Sequence, residues 1–483
     1  MSSTARLLAP TPAAIRDGLR LLMAPPDWLG AIGDTSRVRA ALERHDPEMA
    51  AGALEVRRLE VKRLRLKKGE EGWIGQYELA VTGPTETART IMLSARMVPP
   101  GFAEPPYAPP SANIGEPDWR VYLPELRLEL RTQPEDPALP ALALLTDPEQ
   151  ARVLLQDGIR AGAPSYADLR IARCDIRALR YKPGSRATAV YRLAYAPEDA
   201  GRGWPEVVVA KTYSGSKGQN AYDGMRALWA SPLARGDVVT IAEPLAYLPE
   251  LKVLVQGPIA EERTLEDLIR SALRSGAPEE LAALEDAMRK AGAGLAALHT
   301  SGIMYGELIR WEDELAEVRE VIGRLAVPLP HLAEAAEPLL RRVEALAAET
   351  PPDPAMPAHR AFRPAQVLLA SGRVGFIDFD GFGRAEPALD LSRFLRKARA
   401  LAYDALKGRG LSDDEALARA AAISGAFLTE YERRVPVSRQ RIALWETLDL
   451  LTLVLYCWTK VEPQRLPDTM LLLERHLEGM GVL

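Results

Sequence analysis

Hydrophobic and polar residues alternate along two stretches in the first half of the chain, a pattern typical of half-buried antiparallel strands. The first stretch, EVKRLRLKKGEEGWIGQYELAV, covers residues 60–81, and the second, DIRALRYKPGSRATAVYRLAY, covers residues 175–195. From about Ile259 onward, apolar residues instead recur at intervals of three, four or seven, as they do on one face of a helix. The pattern therefore predicts an α+β protein with strands mainly in its first half and helices in its second half.

The two alternating stretches also resemble each other, which suggests an internal repeat. The aligned positions are, in chain order, Val61 with Ile176, Gly69 with Gly184, and Arg96 with Lys211. The pentapeptide YLPEL follows in both copies, at residues 122–126 and 247–251. Because order, spacing and an identical pentapeptide agree, we interpret the first half as a duplicated β-rich module. The alternative is chance likeness between amphipathic strands in a chain rich in arginine and leucine.

The second half contains clear start and stop signals. An apolar stripe that includes Leu281 and Leu298 predicts a helix. This helix is expected to end before Gly302, which is a suitable C-terminal cap. The segment VLLASGRVGFIDF, residues 367–379, predicts two short strands joined by a two-residue turn at Ser371 and Gly372. The remainder, residues 389–483, is predicted to be almost entirely helical, with breaks near residues 408–410 and 435–436.

Composition narrows the class of protein. At 483 residues the chain is long enough for two or three domains, and 47% hydrophobic with 26% charged residues is ordinary for a globular protein. The net charge of −5 argues against nucleic acid or an acidic membrane as a partner. The two cysteines match no metal-ligand spacing and favour a reducing, cytoplasmic location. The most apolar C-terminal stretch, residues 450–458, is too short for a membrane span and predicts a buried helix.

One segment carries a family resemblance. Residues 358–391 read AHRAFRPAQVLLASGRVGFIDFDGFGRAEPALDL, which resembles the signature of aminoglycoside phosphotransferases and related small-molecule kinases. The segment LAALHTSGI at residues 295–303 is similar to the helix that precedes the catalytic region in that family. The resemblance extends over about residues 165–483. It implies a bilobal, protein kinase-like fold with a β-rich N-lobe and a helical C-lobe.

This resemblance suggests three domains. A β-rich N-terminal domain, resembling a duplicated N-lobe, would cover residues 1–155. The kinase-like N-lobe would cover residues 156–258, and the helical C-lobe residues 259–483. Three roles are open for the first domain: a cap on the second module, an extension of its sheet, or an edge that binds a partner.

The resemblance also implies an ATP site. Lys211, at the end of an apolar strand, would neutralise the phosphates of ATP, although an edge lysine reaching into water has the same pattern. Asp223 is the candidate carboxylate partner of Lys211, or else a surface acid. Gly184 and Ser185, in the turn from Lys182 to Arg186, would cover the phosphates, unless this segment forms an ordinary hairpin turn. Gln256 would lie at the adenine-binding hinge, where backbone groups make the contacts.

A Mg²⁺ site is implied in the helical lobe. Asp378 ends an apolar strand, where a metal ion would compensate a carboxylate that is costly to bury; the alternative is a hydrogen-bonded turn aspartate. Gln366 would be the second metal ligand, and Asp380 would assist either one. His359 is expected to pack and hydrogen-bond, with a role as catalytic base as the alternative, and Asp390 is expected to order the loop.

Ala361 departs from the family pattern. The residue two after His359 is an aspartate in the family, where it orients and deprotonates the substrate hydroxyl, and a methyl group can do neither. Three explanations are open. The chain is a natural pseudokinase, or it is a phosphotransferase with an engineered Asp→Ala change, or another carboxylate such as Asp380 or Asp353 serves as the base.

Two functions follow as hypotheses. In the first, the chain is an ATP- and Mg²⁺-dependent phosphotransferase for an unknown small-molecule hydroxyl, inactive or impaired by Ala361. In the second, it is a pseudokinase, a nucleotide-binding regulatory or scaffold protein with an unknown protein partner. The helical region that recognises the acceptor in this family, residues 389–483, contains no constellation that identifies a substrate.

Overall fold

The structure is a computed structural model that describes residues 10–83, 88–106, 110, 112–133, 136–199 and 201–483. The chain divides into two compact units, each built from segments that are distant in sequence. The first unit consists of Met1–Asp136, Glu312–Thr350 and Thr447–Leu483, and the second of Pro137–Trp311 and Pro351–Glu446. The boundaries expected from the sequence, after residues 155 and 258, do not coincide with the edges of these units.

Helices precede strands in the first part of the chain. In chain order, the described residues up to 136 form α1 (Pro12–Leu21), α2 (Asp27–Ala31), α3 (Thr35–His45), α4 (Pro47–Ala50), β1 (Glu55–Leu66), β2 (Trp73–Thr82), β3 (Arg89–Met97), β4 (Arg120–Leu123) and β5 (Leu128–Thr132). The described residues before position 51 of the expected β-rich N-terminal domain thus include four helices, and its strands begin at β1. The side chains of Asp34 and Asp46 accept backbone hydrogen bonds at the starts of α3 and α4, a capping signal that the sequence does contain.

The second unit begins with a helix that packs on a sheet. The elements up to residue 264 are α5 (Leu142–Thr146), α6 (Pro148–Gly162), β6 (Arg173–Lys182), β7 (Arg186–Ala194), β8 (Val207–Tyr213), α7 (Lys217–Ala230), β9 (Thr240–Ile241), β10 (Pro244–Leu248), β11 (Val253–Gln256) and β12 (Arg263–Thr264). Leu155 and Ile159 of α6 are buried in one core with Tyr191, Val208 and Leu245 of the sheet. This shared core explains why α6 belongs with the second sheet.

The two five-stranded sheets have the same strand order. The first is ordered β1-β2-β3-β5-β4 and the second, read from its other edge, β6-β7-β8-β11-β10, and all neighbours are antiparallel. Val61 pairs with Tyr77 and Ile176 with Tyr191, and a register shift follows at both places. The residue after each YLPEL segment has a positive φ, 50° in the first copy and 52° in the second. These shared details are what a duplication would produce, and the duplication itself stays a prediction.

Helices dominate the rest of the chain, as expected for an α+β protein of this type. The remaining elements are α8 (Leu265–Ser275), α9 (Pro278–His299), β13 (Leu308–Ile309), α10 (Trp311–Ala326), α11 (His331–Glu349), β14 (Met356–Ala358), β15 (Val367–Ala370), β16 (Arg373–Phe376), β17 (Gly383–Ala385), α12 (Pro387–Leu406), α13 (Asp413–Glu432), α14 (Arg439–Thr459) and α15 (Leu466–Gly479). The predicted hairpin is confirmed, because β15 and β16 pair across Ser371 and Gly372, which have φ values of 48° and 73°. The predicted helix breaks near residues 408–410 and 435–436 are confirmed as well.

One helix among the described residues, α14, is long and apolar enough to cross a membrane by length and composition alone. However, 72% of its most apolar stretch is buried inside the protein. Core helices of folded proteins pass the same test, and the burial agrees with the buried helix predicted for residues 450–458.

Candidate active site

Lys211 occupies the centre of the candidate site although it is a charged residue in a buried strand. It lies in β8, between the buried residues Ala210 and Thr212, and is only 8% exposed. Its Nζ donates a hydrogen bond to Oδ1 of Asp378 at 3.2 Å and lies 3.8 Å from Oδ1 of Asp380. These two carboxylates compensate the buried ammonium group.

The backbone after β16 holds Asp378 in an unusual conformation. Its φ of 74° lies in the left-handed region, which aspartate adopts more readily than most other residues. The neighbouring backbone is fixed on the N-terminal side, because the amide of Ile377 donates to the carbonyl oxygen of Gln366 and the Ile377 carbonyl lies 2.9 Å from Nε2 of His359. A single 3₁₀ turn, Phe379–Gly381, follows and places Asp380 beside Asp378.

Arg186 and Tyr213 complete the cluster; the sequence predicted Arg186 only as the last residue of the turn over the phosphates and assigned no role to Tyr213. They are paired in the register of β7 with β8, and Tyr213 shares a face with Lys211 because side chains alternate along a strand. Nη1 of Arg186 lies 3.4 Å from Oδ1 of Asp378 and 3.2 Å from Oδ2 of Asp380. The hydroxyl of Tyr213 donates to Oδ1 of Asp380 at 2.8 Å. We refer to Lys211, Arg186, Asp378 and Asp380 as the ion-pair cluster.

The two carboxylates of the ion-pair cluster have opposite pKa shifts. Burial opposes ionisation of Asp378, but the positive charges of Lys211 and Arg186 outweigh it and hold the pKa of Asp378 well below its usual range. Burial raises the pKa of Asp380, and the adjacent negative charge of Asp378 adds to this rise, against the opposing effect of Lys211. Burial, reinforced by Asp380, also raises the pKa of Tyr213, so its hydroxyl stays protonated and remains a donor.

Gln366 reaches the same carboxylate from the 3₁₀ turn Pro364–Gln366. It is 3% exposed, and its Nε2 donates to Oδ2 of Asp378 at 3.3 Å. Its Oε1 is buried without a hydrogen-bond partner, a costly arrangement for an amide oxygen. A hard divalent cation would satisfy this oxygen, and the carboxylates of Asp378 and Asp380 are the other oxygen ligands that such an ion prefers. The donor types therefore fit Mg²⁺.

The protein alone does not supply a complete metal site here. Within the part of the chain that the structure describes, no group of three or more histidine, cysteine, aspartate or glutamate side chains could hold a metal ion. A cation at Asp378 would thus take further oxygen ligands from water or from a phosphate-bearing ligand, as Mg²⁺ commonly does.

His359 and Asp390 form a buried network behind the site. Oδ2 of Asp390 accepts a hydrogen bond from the backbone amide of His359 at 2.7 Å and lies 3.2 Å from Nε2 of His299. Nδ1 of His299 in turn lies 2.7 Å from the hydroxyl of Tyr431. Burial opposes ionisation of Asp390, but the hydrogen bond and charge of His299 lower its pKa. This network fixes the start of the loop that contains Ala361.

Ala361 itself is exposed and lies between a strained residue and a buried one. Arg360 has a φ of 65°, its side chain pairs with Glu307 at 3.4 Å, and Phe362 is fully buried. The loop backbone is thus held on both sides of a methyl group. Asp353, an alternative base, is engaged elsewhere, because its Oδ2 accepts the backbone amide of Ser438 at 2.9 Å.

The expected partnership of Asp223 with Lys211 is not formed. Oδ2 of Asp223 accepts a hydrogen bond from Gln219 at 2.7 Å, whereas Lys211 pairs with the ion-pair cluster. Asn220, one turn earlier on α7, instead connects this helix to the site. Its Nδ2 donates to the carbonyl oxygens of Asp380, at 3.3 Å, and of Phe382, at 3.0 Å.

The remaining predicted residues lie in the second sheet. Gly184 has a φ of 61° and forms the turn between β6 and β7, where the amide of Ser185 donates to the carbonyl oxygen of Lys182. Gln256 ends β11, is 5% exposed and faces Val209 of β8 in the register. The turn therefore leads directly into Arg186, while no described contact of Gln256 joins it to the ion-pair cluster.

Comparison with known proteins gives a family match over part of the chain. Residues 226–433 match a family model described as the phosphotransferase enzyme family. This segment contains Ala361, Gln366 and Asp378, and Lys211 precedes it. The resemblance inferred from the sequence is confirmed for the matched segment. A search of curated proteins found no match.

Similar solved structures are small-molecule kinases and phosphotransferases. A glucosamine kinase in complex with glucosamine, ADP and inorganic phosphate is 15% identical, with 91% of this chain and 98% of that one covered and a TM-score of 0.44. A choline kinase from Cryptosporidium parvum Iowa II is 11% identical, with 69% and 98% covered and a TM-score of 0.44. An aminoglycoside-3'-phosphotransferase of type VIII is 21% identical, with 61% and 98% covered and a TM-score of 0.38.

Proposed function

We propose that this chain binds ATP at the ion-pair cluster and is a phosphotransferase of the small-molecule type whose phosphoryl transfer is impaired at Ala361. The observation that carries the proposal is the convergence of Lys211 from the sheet with Asp378 from the helical part of the same unit, at 3.2 Å. Phosphoryl transfer relies mainly on positioning and on compensation of phosphate charge, and both require cations and metal-binding oxygens at one place.

Each residue of the site has a defined role in this proposal. Lys211 binds phosphate oxygens of the nucleotide as a point charge, and Arg186 adds a second positive charge from the turn after Gly184. Asp378 and Gln366 would hold Mg²⁺, which supplies charge neutralisation to the phosphates when bound. Asp390 and His359 keep the loop backbone in place and do not touch the nucleotide.

Ala361 limits the chemistry. The acceptor hydroxyl of a small molecule would approach the loop at this position, where a carboxylate is needed to orient it and to accept its proton. General-base assistance usually contributes a factor of about 10² to 10⁴ in rate. Asp380 is a poor substitute, because Tyr213 and Arg186 already contact its two oxygens. The chain should therefore bind nucleotide well and transfer its phosphoryl group slowly.

Calorimetric titration of the full chain with ATP in the presence of MgCl₂ tests the nucleotide site. We expect saturable binding of one ATP, and binding that is at least about tenfold weaker in Lys211→Met. Lys217→Met, which removes an exposed lysine at the start of α7, is the matched control and should bind as the unaltered chain does. If the unaltered chain shows no heat of binding, the proposal is wrong.

A second candidate function is a nucleotide-binding regulatory or scaffold protein that acts through an unknown protein partner. Ala361 favours it, because the remaining site residues can bind a nucleotide without a base. Turnover by Ala361→Asp separates the two candidates: a gain supports the impaired phosphotransferase, and no gain supports the regulatory protein.

The two cysteines agree with a reducing, cytoplasmic location. Cys174 and Cys457 are both free and buried. Burial raises the pKa of Cys174 to about 11, so its thiol is unreactive at neutral pH. We include a cytoplasmic location in the proposal on this basis.

A further inference from the structure

One nitrogen atom of Arg186 bridges the two carboxylates of the ion-pair cluster. Nη1 lies 3.4 Å from Oδ1 of Asp378 and 3.2 Å from Oδ2 of Asp380. The other two oxygens, Oδ2 of Asp378 and Oδ1 of Asp380, accept hydrogen bonds from Gln366 and Tyr213. A divalent cation shared by the carboxylates would therefore compete for the oxygens that Nη1 contacts. The guanidinium group of Arg186 therefore occupies the position that such a cation would take.

The charges of the cluster are already balanced without a metal ion. Lys211 and Arg186 supply two positive charges, and Asp378 and Asp380 can supply at most two negative charges. A divalent cation bound to these carboxylates would lie close to both positive side chains and would be repelled by them. This repulsion is weakly screened, because the site is largely buried. Lys211 is fixed in a buried strand, whereas Arg186 is 38% exposed at the edge of a turn. Arg186 is thus the cation that can move away.

We propose that Arg186 competes with divalent cations for Asp378 and Asp380, so that the glycine turn before β7 sets the metal affinity of the free protein. This inference rests on the proposed function in one respect, namely that Asp378 is a cation-binding residue, and it adds Asp380 as a second carboxylate for the same cation. In the nucleotide-free protein, Arg186 holds the carboxylates and metal binding is weak. Loss of its positive charge makes the same oxygens available and strengthens metal binding.

Titration of the full chain with MnCl₂ in the absence of nucleotide tests this competition, with the electron paramagnetic resonance signal of free Mn²⁺ as the readout. We expect Arg186→Gln to bind Mn²⁺ about tenfold or more tightly than the unaltered chain, as expected for the loss of one positive charge beside the ion. Arg177→Gln is the matched control, because it removes an exposed arginine from β6 of the same hairpin. Its Mn²⁺ affinity should be unchanged.

Two further variants identify the origin of the effect. Arg186→Lys keeps the positive charge and should stay near the unaltered affinity. The double variant Arg186→Gln with Asp378→Asn should lose the gain, since the additional affinity arises at Asp378. Thermal unfolding curves check that each variant is folded.

The outcomes distinguish this inference from the proposed function. If Arg186→Gln binds Mn²⁺ no more tightly than the unaltered chain, the proposed competition does not occur and the inference is wrong. The ATP titration then still tests the nucleotide site independently. If the gain persists when Asp378 is replaced, the metal binds elsewhere and the inference is also wrong. A gain that depends on Asp378 supports the inference, even in a chain that fails to bind ATP.

Discussion

Nζ of Lys211 lies 3.2 Å from Oδ1 of Asp378, although 167 positions separate the two residues in sequence. One comes from the third strand of an antiparallel sheet and the other from the turn that follows a short hairpin. Their pairing places a buried ammonium group beside a carboxylate whose pKa is held well below its usual range. In the proposed function, the ammonium group of Lys211 complements the phosphates of a nucleotide, and the carboxylate of Asp378 complements the metal ion bound to it.

Replacement of Lys211 by Met should weaken ATP binding by at least about tenfold. A charge-assisted hydrogen bond to phosphate contributes enough free energy for a change of this size. The measurement is calorimetric titration with ATP and MgCl₂, with Lys217→Met as the control. If Lys211→Met binds ATP as tightly as the unaltered chain does, Lys211 does not contribute to the nucleotide site.

Replacement of Ala361 by Asp should raise ATP turnover about 10²-fold, because it supplies the missing general base. The measurement is release of ADP by the full chain, first in water alone and then with candidate small-molecule alcohols. Ala361→Asn is the matched control, since an amide of the same size cannot accept the proton. Equal rates for the Asp and Asn variants would contradict the prediction and favour the regulatory function.

Replacement of Gln366 by Leu should lower the affinity of the nucleotide complex for divalent cations about tenfold. The leucine removes the unpartnered Oε1 and the hydrogen bond to Asp378. Loss of a hydrogen bond to a metal ligand by itself typically reduces metal affinity by about 10- to 100-fold. Mn²⁺ titration in the presence of ATP measures this affinity. Gln219→Leu, on the exposed side of α7, is the control, and an equal effect in both variants would exclude Gln366 as a ligand.

Replacement of Asp390 by Asn should destabilise the protein by about 3 kcal/mol at neutral pH, because Asp390 is fully buried and hydrogen-bonded to the backbone of His359 and to His299. The folded-state pKa of Asp390 is lowered, so its contribution is present above the ordinary carboxyl pKa and is lost as pH falls below it. The difference between the two proteins should therefore shrink below about pH 4.

Urea unfolding at a series of pH values measures this difference. Asp404→Asn, on the exposed part of the same helix, is the control and should cost less than about 1 kcal/mol at every pH. A difference for Asp390→Asn that stays constant down to pH 3 would contradict the assigned role of its negative charge.

Much of the fold was predictable from local patterns. Alternation identified β1, β2, β6 and β7, and the pair Ser371 and Gly372 fixed the hairpin, because two consecutive residues with positive φ favour that turn. The helices before residue 51 were missed, although aspartates cap two of them, because short helices take much of their stability from tertiary packing. The two-unit division was also not predictable, since it joins segments that are hundreds of residues apart.

The candidate site was predictable only in part. Lys211, Gln366 and Asp378 were identified by their motifs, and the structure brings all three together. Tyr213 had no motif of its own, and Arg186 was predicted only as part of the turn over the phosphates, not as a partner of the carboxylates. The available signal was strand geometry, because Tyr213 follows Lys211 by two positions and Arg186 begins the neighbouring strand. Asp223 was assigned to Lys211 as the only acid on α7, and its side chain lies with Gln219 instead.

The sequence by itself determined the α+β class, the repeated strand pattern and the residue types available for phosphate and metal binding, including the methyl group at position 361. The first two features follow from periodicity and the last from the motifs of the family resemblance, and both are local properties of the sequence. Only the tertiary structure decided which charges meet: Lys211 and Arg186 with Asp378 and Asp380, and Asp223 with none of them. Electrostatic pairing depends on distance and burial, and neither can be read from positions along a chain.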